Sequence, residues 1–288
     1  MEEGKAFIFS GGRLSALSVH FSAAVFGALA GAMLVFPMQA ADAALQALAL
    51  WAQGIMPVLG PFMICMLMLS GRMGGGPWLR LMMGWLCGSP GGARLLGGMG
   101  LGKRAARRFA ALSGTMSPMF FLGTISRWTG DPRAGAIIFF SHLAGALVTG
   151  LMLPGDRERN AVPPAPLSFS GALSQGANAL LVIALCMMLG GIGAKMVACA
   201  LPGLPPWAAV ILQCALEVTG GVQALIQLHP PALFPLICGA CSFGGLSILM
   251  QNAAFWQGAG VKMGQLFALR CLHGAVSFGI CWAIVKIL

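Results

Sequence analysis

The chain has 288 residues, of which 58% are apolar and 8% charged, and its mean hydropathy is +0.86. That is too little polar surface to cover a water-soluble globule, so most of the outer surface has to face lipid. A formal charge of +10 would suggest nucleic acid in a soluble protein, but here the cations lie in short segments between apolar runs, a topology pattern that leaves no place for nucleic acid.

In chain order, Lys5 and Arg13 precede an apolar run from about Leu14 to Phe36. This run exceeds the roughly 7 to 15 residues of a signal-peptide core and reads as an uncleaved first helix, so residues 1–40 form an N-terminal extra transmembrane helix. Residues 38–53, with Asp42, are moderately amphipathic, and 54–70 form an apolar run whose Pro57 and Pro61 imply a kink. Residues 81–93, LMMGWLCGSPGGA, are short and interrupted by Gly88, Pro90, Gly91 and Gly92. Such a segment is expected to enter the membrane and turn back, which backbone tolerates only beside protein or a wet cavity. The stretch from Arg94 to Arg108 holds five cations and no acid. Spans are expected at 109–126 and 134–153, and a charged, Pro-rich cytoplasmic linker at 155–168 divides the chain. The second half repeats the pattern, with spans near 176–194, 232–252 and 271–288 and a segment at 207–228 interrupted at Gly220 and Gly221.

The expected fold is an all-α polytopic membrane protein of about seven transmembrane helices plus two re-entrant or broken segments. Residues 41–154 and 169–288 form an inverted repeat, the architecture common among secondary transporters. With the N-terminus cytoplasmic, all Lys and Arg except Arg127, Arg133, Lys195 and Lys286 fall on the cytoplasmic side, Arg80 and Arg270 included. Trp78, Trp128, Trp207 and Trp256 lie near segment ends, where the amphipathic ring suits the headgroup layer.

Six of the seven acids sit in the tail, loops or interfacial segments, and Glu217 stands alone in LQCALEVTGGVQAL beside a glycine pair. A carboxylate there is costly unless it binds something or is protonated; the competing reading is a neutral Glu bonded to freed backbone. Three further clusters place small and hydroxyl residues at depth: GSPGGA with Ser89, Gly91 and Gly92; LSGTMSP with Ser113, Thr115 and Ser117; and CSFGGLSILMQN with Ser242, Ser247, Gln251 and Asn252. Together with Glu217 and Thr219 these are the candidate substrate-binding residues, although for any single serine helix packing is the simpler account. His142 and His273 read as satisfied polar groups, and the nine cysteines as small buried side chains rather than a disulfide framework. The GxxxxGK of Gly97–Lys103 ends in Arg104 instead of Ser or Thr, and Cys238–Cys241 is a lone CxxC. No catalytic residue, metal or cofactor is expected, and the chain does not read as an enzyme.

At these clusters the sequence resembles the YlbJ-like sporulation integral membrane proteins, which belong with the nucleoside recognition or Gate domains. The matching stretches are ALWAQGIMPVLGPFMI (49–64), CGSPGGARLL (87–96), LSGTMSPMFFLGTI (112–125), SHLAGALVTG (141–150), ALEVTGGVQAL (215–225) and FGGLSILMQN (243–252), although SPGGA departs from the more usual GYPxGA. The resemblance implies a transporter-like core whose paired Gly-Ser segments form a substrate site, and a role in sporulation, where such proteins are associated with dipicolinate movement into the forespore. The expected function is therefore a transporter or permease for a small solute, an anion being compatible, in a bacterial cell or forespore membrane. Its partners would be the bilayer, the solute and a coupling ion, and an oligomer is compatible. The alternative is a non-transporting scaffold in spore envelope assembly.

Overall fold

A computed structural model describes residues 16–70, 72, 75–155 and 166–288. The extreme N-terminus with Lys5 and Arg13, and most of the expected linker, lie outside the described residues. Every regular element described is helical.

Helix α1 (Ala16–Val35) stops before Pro37, and α2 (Pro37–Leu50) leaves it at 110°. Proline at the first helical position of α2 suits a new start because its missing N–H would be unpaired there anyway. A π-helical turn at Trp51–Ile55 leads into α3 (Met56–Ser70), which contains Pro61. Two short helices follow, α4 (Pro77–Cys87) and α5 (Gly91–Gly97), separated by Gly88, Ser89 and Pro90. Then come α6 (Lys103–Leu112), an extended stretch around Ser113–Ser117, a π-helical turn at Phe120–Ile125, α7 (Ser126–Thr129) and α8 (Pro132–Leu151). The second half runs α9 (Phe169–Ala200), the short pair α10 (Pro206–Leu216) and α11 (Val218–Leu228), the pair α12 (Leu233–Phe243) and α13 (Gly245–Trp256), and α14 (Met263–Ile287).

Residues 132–151, 169–200, 233–256 and 263–287 are long and apolar enough to cross a membrane, and the bent 23–55 pair is a fifth candidate. The chain is thus built as a helical membrane protein. Helices α8, α12 and α14 pack together, and small residues set their spacing: a Cβ on Gly145 would strike Ser277, and one on Gly274 would come within 3.1 Å of the Gly239 carbonyl oxygen. Close backbone approach through small residues is how helices associate where lipid removes the hydrophobic drive.

Four expectations need correction. Residues 109–126 are not one continuous span but break at 113–117, so the described residues of the two repeats hold four interruptions where two were expected. The break in 207–228 falls at Glu217 rather than at Gly220 and Gly221, which lie inside α11. The last helix begins at Met263, so Arg270 is a buried helical residue and not a loop cation; Arg80 is likewise buried. Finally, Trp256 ends α13 as expected, but its ring does not face outward: it is 1% exposed, packed in a cluster with Phe109, Leu112 and Leu249.

Candidate functional site

The interruptions are local consequences of residue type, and they meet in space. Gly88 has φ +71, a conformation glycine adopts without steric cost, and a Cβ there would strike the Ser117 backbone nitrogen. The first break therefore lies against the second, and the Ser89 N–H donates to the Thr115 carbonyl at 2.7 Å. In the other half, Gly244 (φ +83) and Gly245 (φ +69) interrupt α12 and α13, and a Cβ on Gly245 would lie 2.9 Å from the Cys214 carbonyl oxygen and 3.3 Å from the Val218 nitrogen. The fourth break thus lies against the third.

At the third break Glu217 caps α11 with its own side chain. Oε1 accepts the Thr219 N–H at 2.9 Å and Oε2 the Gly220 N–H at 2.7 Å, satisfying two of the donors a helix start leaves unpaired. A carboxylate at that end is also favoured by the helix dipole. Gly221 lets α11 press on α10, since a Cβ there would strike the Cys214 backbone. Glu217 is 2% exposed.

Between the breaks lies a cavity of about 60 Å³, room for on the order of four waters or one small solute. Its polar wall is Ser89, Ser117, Thr124, Glu217, Thr219, Ser247 and Gln251; its apolar wall includes Leu59, Phe120, Ile183 and Met187. Half of the candidate residues therefore share one wall: Ser89, Ser117, Glu217, Thr219, Ser247 and Gln251. The Ser247 hydroxyl has no hydrogen-bond partner among the described residues.

The other candidates support this wall from behind. Asn252 donates through Nδ2 to the Ser89 hydroxyl at 3.2 Å, and Gly92 packs against Gly84 and Ser113. Gly91 packs on Cys87. Ser113 and Thr115 are buried in the second break, and Ser242 bonds His142 Nδ1 at 2.7 Å. Because His142 Nε2 accepts the Met116 N–H at 3.0 Å, Nδ1 carries the proton and donates to Ser242. His273 Nε2 donates to the His142 carbonyl at 2.9 Å. His142 thus ties α8 to the second break and to the end of α12, whereas His273 joins α14 to α8 and leaves its buried Nδ1 without a hydrogen-bond partner among the described residues.

Two residues were not singled out by sequence reasoning. Thr124 lines the cavity from the π-helical turn, and nothing in LGTI distinguishes it. Arg270 donates through Nε to the Phe243 carbonyl at 3.0 Å and through Nη1 to the Gly114 carbonyl. Phe243 ends α12 and Gly114 lies in the second break, so one guanidinium fork joins the negative dipole end of α12 to that break. Among the described residues no three His, Cys, Asp or Glu side chains are grouped to hold a metal ion.

No family model, curated protein or solved structure matches the chain.

Proposed function

We propose that the protein is a secondary transporter or permease, with the cavity between the four breaks as its solute site. The observation that carries this reading is the space itself: about 60 Å³ beside a buried carboxyl and the unpartnered Ser247 hydroxyl, where a packed scaffold would place side chains. Element order supports an inverted repeat, because each half offers a helix, a short pair, a broken pair and a long helix (α3 to α8, then α9 to α14). Broken helices around a central site are the recurrent device of such transporters. Glu217 is the one acidic or basic side chain on the wall, so the site suits a neutral or cationic solute better than an anion. The resemblance to YlbJ-like proteins favours a role in sporulation, in a cell or forespore membrane with the N-terminus cytoplasmic, and a coupling ion would meet the solute at Glu217.

The test is a solute-uptake screen in proteoliposomes, with and without an ion gradient, comparing the protein with Glu217→Gln. Flux is expected in the first and abolished in the second at equal incorporation. Equal flux in both would remove Glu217 from the mechanism, and no flux for any solute class would favour the scaffold.

A further inference from the structure

Helix α6 carries Lys103, Arg104, Arg107 and Arg108 within six residues, and the first three side chains are exposed. Its opposite face is deeply buried, with Ala105, Ala106 and Phe109 in a core cluster. The helix ends at the second break, beside the cavity. Ten residues at about 1.5 Å each cover about 15 Å, half of the roughly 30 Å hydrocarbon thickness. Leu112, the last residue of α6, packs on Gly150, next to the end of the spanning helix α8, so α6 lies toward the headgroup boundary, with Lys103 and Arg107 on its exposed side. An arginine there has to extend toward the surface and find an oxygen anion.

The surroundings match that requirement. Trp78 is 42% exposed beside α6, its ring 5.2 Å from that of Phe109 and 5.4 Å from the Arg108 guanidinium. An indole at this level is the usual marker of the interface. Lys103 also borders an open groove formed by Gly97, Gly98, Gly100, Gly258 and Gly260, where the absence of side chains leaves the backbone accessible. Neither 97–112 nor 257–263 contains an acid, and Lys262 adds another exposed cation there. In the sequence, residues 156–159 comprise two acids and two arginines and carry no net charge.

We infer that the exposed face of α6, with Trp78 and the glycine groove, binds the headgroup of an anionic phospholipid in its own leaflet, Lys103 and Arg107 pairing with phosphate oxygens. This surface is separate from the solute cavity and stands whether or not the protein transports.

The experiment uses the full chain in nanodiscs made from an equal mixture of phosphatidylcholine and phosphatidylglycerol, with the lipid retained after release read by native mass spectrometry. Retention is expected to favour phosphatidylglycerol. The double variant Lys103→Gln/Arg107→Gln should lower that preference roughly twentyfold, at about fivefold per cation. Arg127→Gln/Arg133→Gln, at exposed positions in α7 and at the start of α8, at the other end of the broken helix, should leave it unchanged. Equal retention of both lipids by the native protein, or the same loss in both double variants, would overturn the proposal. If the α6 variant is poorly folded, adding phosphatidylglycerol to the native protein in detergent remains decisive: a rise in unfolding temperature that phosphatidylcholine does not produce supports the site, and an equal response to both lipids refutes it.

Discussion

Glu217 is an acceptor before it is anything else. Both its oxygens hold backbone N–H groups of α11, so Glu217→Ala should leave two buried donors unpaired and cost about 1 to 3 kcal/mol. Glu217→Gln keeps one acceptor oxygen and should cost less, about 1 kcal/mol, which is why it is the fit variant for flux. Thermal unfolding in detergent orders the three proteins, and an alanine variant as stable as the parent would mean the cap is not formed. Arg270 is the converse case, a buried donor serving the end of α12 and the second break, with no carboxylate partner among the described residues. Arg270→Met should strand the Gly114 and Phe243 carbonyls and lower stability by about 2 to 3 kcal/mol, and Arg270→Lys should recover only part because a point charge cannot fork between them.

The helices are short because particular residues stop them, and the stops are stacked in pairs: 88–90 on 113–117, and 217 on 244–245. Glycine is required where this stacking is closest. Gly88→Ala combines a left-handed φ with a collision against Ser117 backbone, so folded yield by size-exclusion chromatography should collapse, reflecting a cost above about 2 kcal/mol. Gly123→Ala supplies the contrast, since a Cβ there meets nothing and the variant should match the parent in yield and stability. Equal behaviour of the two variants would mean that the breaks do not touch.

Across the whole molecule, α6 and the helical stretch through α7 extend in opposite senses from the second break, together about 30 Å long, the thickness of the hydrocarbon core. Gly102 and Gly130, exposed at the two ends, should therefore lie on opposite sides of the membrane. Cysteine at one of them, but not the other, should react with a membrane-impermeant maleimide in intact cells, and both should react after permeabilisation. Reaction of both without permeabilisation would show that this element does not cross.

Composition and apolar periodicity determined that the chain is a helical membrane protein, because lipid requires every span to satisfy its own backbone. The Gly-Pro run at 88–92 marked one break, because it is locally incompatible with an uninterrupted apolar helix, and a break within 207–228 was also expected, although at Gly220 and Gly221 rather than at Glu217 where it falls. Tertiary structure decided the rest. Ser-Gly-Thr at 113–115 is compatible with a continuous helix, and it is the contact with Gly88 and Ser89 that gives the extended alternative its hydrogen bonds. Arg270 carries a charge that any local reading assigns to a loop, and only carbonyls 156 and 27 residues away in sequence make its burial tolerable. Which of the twelve candidate residues share a wall was likewise a matter of how distant breaks meet, something that spacing along the chain does not encode.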